Sequence, residues 1–178
     1  KPDYAEAYYN MGNALKDKDQ LDAAIESYKQ ALKIKPDYAT VFNNMGLALQ
    51  DKGELDAAIG GYKQAIKIKP DYAEAYNNMG NALRDNGDTE DAIESFQKAL
   101  ALTPDYAEAY NNMGNALMDK GDLEEAIESY RQALKIEPDY AEAYNNMGAI
   151  LKDQDKLEEA IEALNKALSL KPDYAGAS

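Results

Sequence analysis

The sequence predicts an all-α solenoid, built from five full helical hairpins and the start of a sixth, on three observations. All six prolines, Pro2, Pro36, Pro70, Pro104, Pro138 and Pro172, stand 34 residues apart, and each opens the same tetrapeptide, Pro-Asp-Tyr-Ala. A fixed period of roughly 20–50 residues signals stacked supersecondary units rather than one globular core. Within each period, two apolar runs at helical spacing are separated by a short polar break. The second run ends before the next proline, which cannot continue a helix.

The expected units are residues 5–38, 39–72, 73–106, 107–140 and 141–174, with 175–178 opening a further helix. In the first, Tyr8, Met11, Gly12 and Leu15 recur at i, i+3, i+4 and i+7, one face of an amphipathic helix. Pro2 and Asp3 precede it, a start signal of proline plus an acidic capping residue. Asp17-Lys18-Asp19-Gln20 breaks the pattern, and Leu21, Ala24, Ile25, Tyr28, Ala31 and Leu32 then mark the second helix. Neither helix is stable alone at this length, so stacking holds the units together. Gly12 and Ala24 allow close helix approach, with Tyr8 and Tyr28 filling the space beside them. The tyrosine of each Pro-Asp-Tyr is expected at the junction between units, ring packed and hydroxyl toward water. Gly53, Gly87 and Gly121 end first helices as left-handed caps. Asp19 and Asp155 replace that glycine and are expected to give looser turns, and the helix-interior pair Gly60-Gly61 marks either a soft spot in the second unit or simple drift.

The spacing Tyr8-x2-Met11-Gly12-x2-Leu15, followed by Ala24-x3-Tyr28-x2-Ala31 and Pro36, resembles the tetratricopeptide repeat, with tyrosine in place of the usual first-helix tryptophan. The pattern returns as Phe42, Met45, Gly46 and Leu49, as Tyr76, Met79, Gly80 and Leu83, as Tyr110, Met113, Gly114 and Leu117, and as Tyr144, Met147, Gly148 and Leu151. The resemblance spans essentially the whole chain. It implies a right-handed superhelix whose first helices line a concave, protein-binding groove.

On a helical wheel Glu6, Asn10, Asn13 and Asp17 cluster opposite the Tyr8/Leu15 stripe. The resemblance makes this the groove side. One column then reads Asn10, Asn44, Asn78, Asn112, Asn146; a second reads Tyr9, Asn43, Asn77, Asn111, Asn145; a third reads Asn13, Leu47, Asn81, Asn115, Ala149. Asparagine is a mediocre helix former, yet it offers two donors and an acceptor on a short arm. A ladder of asparagines suits the backbone of an extended peptide, or else is one residue choice copied along with the repeat. It resembles the asparagine-lined groove of protein O-GlcNAc transferases. Glu6, Glu74, Glu108 and Glu142 flank one rim, and Asp17, Asp51, Asp85, Asp119 and Asp153 the other, only partly offset by Lys16, Arg84 and Lys152. An acidic rim favours neutral or basic segments. The carboxylate-clamp members of the family need lysine and arginine where this chain has glutamate and asparagine.

Composition excludes much else. With no cysteine and no histidine, disulfides, thiolate metal sites, a cysteine nucleophile and the usual general base are absent. No phosphate-binding glycine loop is present, so no catalytic role, cofactor or metal is expected. Asp85-Asn86-Gly87-Asp88 and Asp119-Lys120-Gly121-Asp122 lack the alternating ligands and distal glutamate of a calcium loop. A net charge of −14 argues against nucleic acid and anionic membrane as partners. No apolar stretch approaches the ~20 residues of a spanning helix. No signal peptide is visible, the chain begins at Lys1 like an excised piece, and a cytoplasmic setting is expected.

Three functions are weighed. The first is a scaffold binding a protein or peptide segment through the asparagine columns. The second is a structural spacer that self-associates end to end. Its ends carry no polar cap, with Tyr8 and Tyr9 at one and Ala163, Leu164, Ala167 and Leu168 at the other. The third is the substrate-recruiting arm of a larger transferase. The first is the favoured expectation.

Overall fold

The computed structural model describes residues 2–171. Ten helices run in sequence: α1 (Pro2–Lys16), α2 (Leu21–Ile34), α3 (Ala39–Asp51), α4 (Leu55–Ile68), α5 (Ala73–Asp85), α6 (Thr89–Leu102), α7 (Ala107–Lys120), α8 (Leu123–Ile136), α9 (Ala141–Asp153) and α10 (Leu157–Leu170). The described residues hold no strand, and the fold is an all-α solenoid. Two compact units divide the chain, Lys1–Ser95 and Phe96–Ser178. In the first, α1 packs on α2, α3 on α4, and α3 and α5 follow onto the preceding hairpins; in the second, α7 packs on α8 and α9 on α10, with α9 also against α8.

The buried residues explain the pairing. Ala24, Tyr28 and Ala31 of α2 are fully buried, as are Ala58, Tyr62 and Ala65 of α4 and Ala126, Tyr130 and Ala133 of α8. The glycine opposite each tyrosine is required. A Cβ at Gly46 would stand 2.7 Å from the Tyr62 ring, and one at Gly114 2.6 Å from that of Tyr130. The glycine thus makes room for an aromatic ring, not for backbone contact as the sequence suggested. At Gly148 the occupant is Leu164, 2.8 Å from a Cβ there.

Four expectations are corrected. α1 begins at Pro2, where the start signal stands, but the later first helices begin three residues after their proline, at the alanine. Tyr38, Tyr72, Tyr106 and Tyr140 hold the N-cap positions without a side-chain cap bond. Pro-Asp instead fills a turn closed by Tyr72 N–H on Lys69 O at 3.2 Å and by Tyr140 N–H on Glu137 O at 3.2 Å, with proline at its favoured second position. The aspartate turns are not looser. Asp19 and Asp155 adopt φ of 58° and 60° beside 78° at Gly53 and 91° at Gly121. Their turns close on the same bond, Gln20 to Leu15 and Lys156 to Leu151, at the 2.9 Å of Glu54 to Leu49. Gly60-Gly61 leaves α4 continuous. Gly61 is buried against Phe42, whose carbonyl oxygen a Cβ would meet at 3.2 Å, while Gly60 faces open space.

The fourth correction concerns the ends. Ala163 and Ala167 are buried within the α9–α10 hairpin, and the exposed apolar residues of α10 are Leu157, Ile161 and Leu168. Tyr9 is packed, its ring 6.3 Å from that of Tyr28 and 5.5 Å from that of Tyr38. The opening of a sixth hairpin at residues 172–178 lies outside the described residues.

Candidate functional site

The asparagine columns sit on first helices, and each compact unit arranges them through buried tyrosines. In the first unit the Tyr28 ring lies over Gly12, which delivers its hydroxyl to the next residue along. Tyr28 Oη donates to Asn13 Oδ1 at 2.8 Å. Asn44 Nδ2 donates to that same oxygen at 3.0 Å and to Tyr9 Oη at 3.1 Å. A core tyrosine thus orients one amide, which orients the amide of the next hairpin.

The second unit repeats the device. Tyr130 Oη donates to Asn115 Oδ1 at 2.7 Å, and Asn146 Nδ2 donates to the same atom at 2.9 Å. Where Leu47 occupies the acceptor's place, Tyr62 Oη turns to Gln50 Oε1 at 3.0 Å, and Gln50 Nε2 donates to Asp85 Oδ2 at 3.0 Å. Gln50 is a site residue that sequence reading missed. Leu47 was the available signal, since a buried hydroxyl deprived of one acceptor needs another.

The column of Asn43, Asn77 and Asn111 is corrected. These three side chains are 0%, 0% and 1% exposed and do not form part of an open contact surface. Asn43 Nδ2 donates to Glu74 Oε1 at 3.1 Å, and its Oδ1 accepts from Asn78 Nδ2 at 3.1 Å. Asn111 Nδ2 donates to Glu142 Oε1 at 3.2 Å, while its Oδ1 is buried with no partner among the described residues. One residue along a helix is a rotation of ~100°, which turns position 43 into the junction between hairpins and leaves position 44 half-open. The remaining members are accessible. Asn10 is exposed, and Tyr9, Asn13, Asn44, Leu47, Asn78, Asn81, Asn112, Asn115, Asn145 and Asn146 are half-buried.

The rim acids Glu6, Glu74, Glu108, Asp17, Asp51, Asp85, Asp119 and Asp153 are exposed and Glu142 is half-buried. Glu74 and Glu142 also serve the junctions as acceptors. The acids leave a mark on the tyrosines. Burial first, then Tyr9 and Asp17, pushes the Tyr28 phenol well above its usual range. Burial, then Asp51, Asp85 and Glu74, does the same to Tyr62. Tyr140 is pushed up to about 12 by burial and then by Glu142, Glu108 and Glu137. All three stay neutral at physiological pH, and Tyr28 and Tyr62 keep the protons they donate. The surface offers fixed amides and carboxylates, suited to hydrogen-bonding a polypeptide.

Stacked antiparallel helix pairs presenting such a surface define a repeat scaffold. The family model described as TPR repeat matches residues 12–53, 49–87, 80–121 and 114–155, and the model described as Tetratricopeptide repeat matches residues 141–174. The chain belongs to the tetratricopeptide repeat family, whose members act as protein-interaction scaffolds and are generally non-catalytic. No curated protein matches the chain. Among solved structures, MamA is 30% identical at a TM-score of 0.82, with 93% of this chain and 97% of that one covered. YrrB, a TPR protein with an unusual peptide-binding site, is 25% identical at a TM-score of 0.74, covering 94% of this chain and 87% of its own. A thermophilic TPR protein in Thermus thermophilus, TTC0263, shares the fold at 22% identity and a TM-score of 0.76, with 96% and 93% covered. Among the described residues, no helix is long and apolar enough to cross a membrane.

Proposed function

We propose that the accessible asparagines bind the backbone of an extended, neutral-to-basic segment of a partner protein. The observation behind this reading is the orientation of half-open amides by buried hydroxyls: Tyr28 on Asn13 and Asn44, and Tyr130 on Asn115 and Asn146. A group fixed before binding loses less entropy when the partner arrives. Backbone-directed amides tolerate many side-chain sequences, and the exposed carboxylates beside them select against acidic segments. The contact set is Asn10, Asn13, Asn44, Asn78, Asn81, Asn112, Asn115, Asn145 and Asn146, without the three sealed asparagines.

The test compares the wild-type chain with the variant carrying Asn44→Ala, Asn78→Ala and Asn112→Ala, titrated with extended peptides graded in charge. Neutral and basic peptides should bind the wild type and lose at least about tenfold in affinity for the variant, with the helical circular-dichroism signal retained. Equal affinity of both forms would remove the asparagines from the binding site.

A further inference from the structure

We propose that Asn115 Oδ1 is the acceptor for a backbone N–H of the bound segment, and that Asn146 frees this atom by swinging to Asn111. The contact rests on the peptide-binding reading and names one of its bonds. The device is a side-chain amide with two acceptors in reach, so that a ligand shifts it from one to the other.

Both lone pairs of Asn115 Oδ1 are in use in the structure. Tyr130 Oη donates to it at 2.7 Å and Asn146 Nδ2 at 2.9 Å, and a carbonyl oxygen accepts two such bonds. A segment gains this acceptor only when one donor leaves. Tyr130 is fully buried, whereas Asn146 is half-buried on the open face, so Asn146 is the donor that moves. Its destination is already built. Asn111, one turn before Asn115 on α7, is 1% exposed, and its Oδ1 has no partner among the described residues. A buried acceptor left unbonded is costly. The swing exchanges one Asn146 bond for another, fills that acceptor, and opens a carbonyl that Tyr130 still holds in place.

The first unit shows both positions of the amide. Asn44 and Asn78 stand at the repeat position of Asn146, Tyr9 and Asn43 at that of Asn111, and Asn13 and Leu47 at that of Asn115. Asn44 Nδ2 reaches the two acceptor positions at once, 3.0 Å from Asn13 Oδ1 and 3.1 Å from Tyr9 Oη. Asn78 shows the second position alone. With Leu47 in place of the other acceptor, its Nδ2 donates to Asn43 Oδ1 at 3.1 Å. Of these three junctions, only the one at Asn146 offers two amide carbonyls with one of them empty. Displacing Asn44 from Asn13 gains no new acceptor, because Tyr9 already takes its amide, and Leu47 offers a segment no acceptor at all. Asn115 is thus where a segment N–H enters without net loss of a bond.

The test builds the second position into the chain. Asn115→Leu with Met118→Gln copies Leu47 and Gln50, and Gln at 118 gives Tyr130 the acceptor that Gln50 gives Tyr62 at 3.0 Å. A double-mutant cycle of Asn111→Ala and Asn146→Ala, read by urea unfolding, is run in the wild type and in this copied background. The pair should be nearly uncoupled in the wild type and coupled by about fivefold in the unfolding constant in the copied background. Nuclear magnetic resonance then follows the Asn146 side-chain amide of the wild type as a neutral, alternating serine–alanine peptide is added. Its peak should move to the position it holds in the copied background, which itself should bind the peptide at least about fivefold more weakly. Equal coupling in both backgrounds, or equal peptide affinity, overturns the proposal. A peptide that does not bind the wild type overturns the peptide-binding reading and this contact with it, whereas binding with the Asn146 peak unmoved overturns this contact alone.

Discussion

Asn43 and Asn44 are chain neighbours with identical side chains, yet the first is sealed and the second half-open. Asn43 links α3 to α5 through Glu74 and Asn78. Asn44 links α3 to α1 through Asn13 and Tyr9 and keeps one flank toward solvent. The same amide is therefore a rivet in one place and a candidate contact in the other, and only the rotation of ~100° between them decides which. The second unit repeats the contrast with Asn111 and Asn112, but imperfectly, since the Asn111 carbonyl has no partner.

The largest expected effect breaks the rivet. Asn43→Ala removes a buried amide bonded on both sides and leaves a hole, which should cost about 2–3 kcal/mol in urea unfolding. Asn111→Ala should cost about 1 kcal/mol less, because its oxygen already lacks a bond. Equal losses would mean that the two junctions are held in the same way.

Next comes the ring that orients the open column. Gly114→Ala places a methyl carbon 2.6 Å from the Tyr130 ring, and the forced shift should cost about 2 kcal/mol. It should also release Asn115 and Asn146, weakening peptide binding beyond the stability loss. Tyr130→Phe keeps the ring and removes only the hydroxyl, at about 1 kcal/mol. A Tyr130→Phe chain that binds peptides as well as wild type would show that the fixed amide orientation does not matter.

Alkaline titration probes those hydroxyls without mutation. The folded chain holds the Tyr28, Tyr62 and Tyr140 phenols above their usual value, chiefly through burial. The unfolded chain releases these protons near pH ~10, so the native state binds more protons above that point. Stability is then full below pH ~10 and falls as pH rises toward the folded values, by about 1.4 kcal/mol per pH unit for each buried phenol. Tyr140, half-buried, contributes less. With no histidine or cysteine in the chain, stability should be flat from about pH 6 to pH 9. Melting temperatures from about pH 6 to about pH 12 check both halves of the curve.

The sequence revealed the hairpins because proline and the i, i+3, i+4, i+7 spacing are local signals. Tyr28, Gly12 and Ala24 were legible as packing residues for the same reason. Burial of Asn43 was not legible, since the wheel assigns an angle on α3 but not which neighbouring helix covers that angle. Gln50 was hidden because its role follows from Leu47, an absence in a different column. The Pro-Asp turn was misread as a cap because both start with the same residues, and the actual boundary depends on where Tyr38 and its counterparts pack.

The smallest effect is the sharpest test of why asparagine stands on the open face. Asn10 is exposed, so Asn10→Ala breaks no buried bond and should change stability by no more than about 0.5 kcal/mol. The sign should be favourable, because alanine is the better helix former by roughly that amount. A chain free to optimise its helices would therefore hold alanine, glutamate or lysine at this position. If Asn10→Ala raises the melting temperature slightly and weakens peptide binding, asparagine is kept there for contact at a small cost in folding. If stability rises and binding is untouched, Asn10 is an inherited copy of its neighbours, and the contact surface begins at Asn13 and Asn44, where the tyrosine hydroxyls fix the amides.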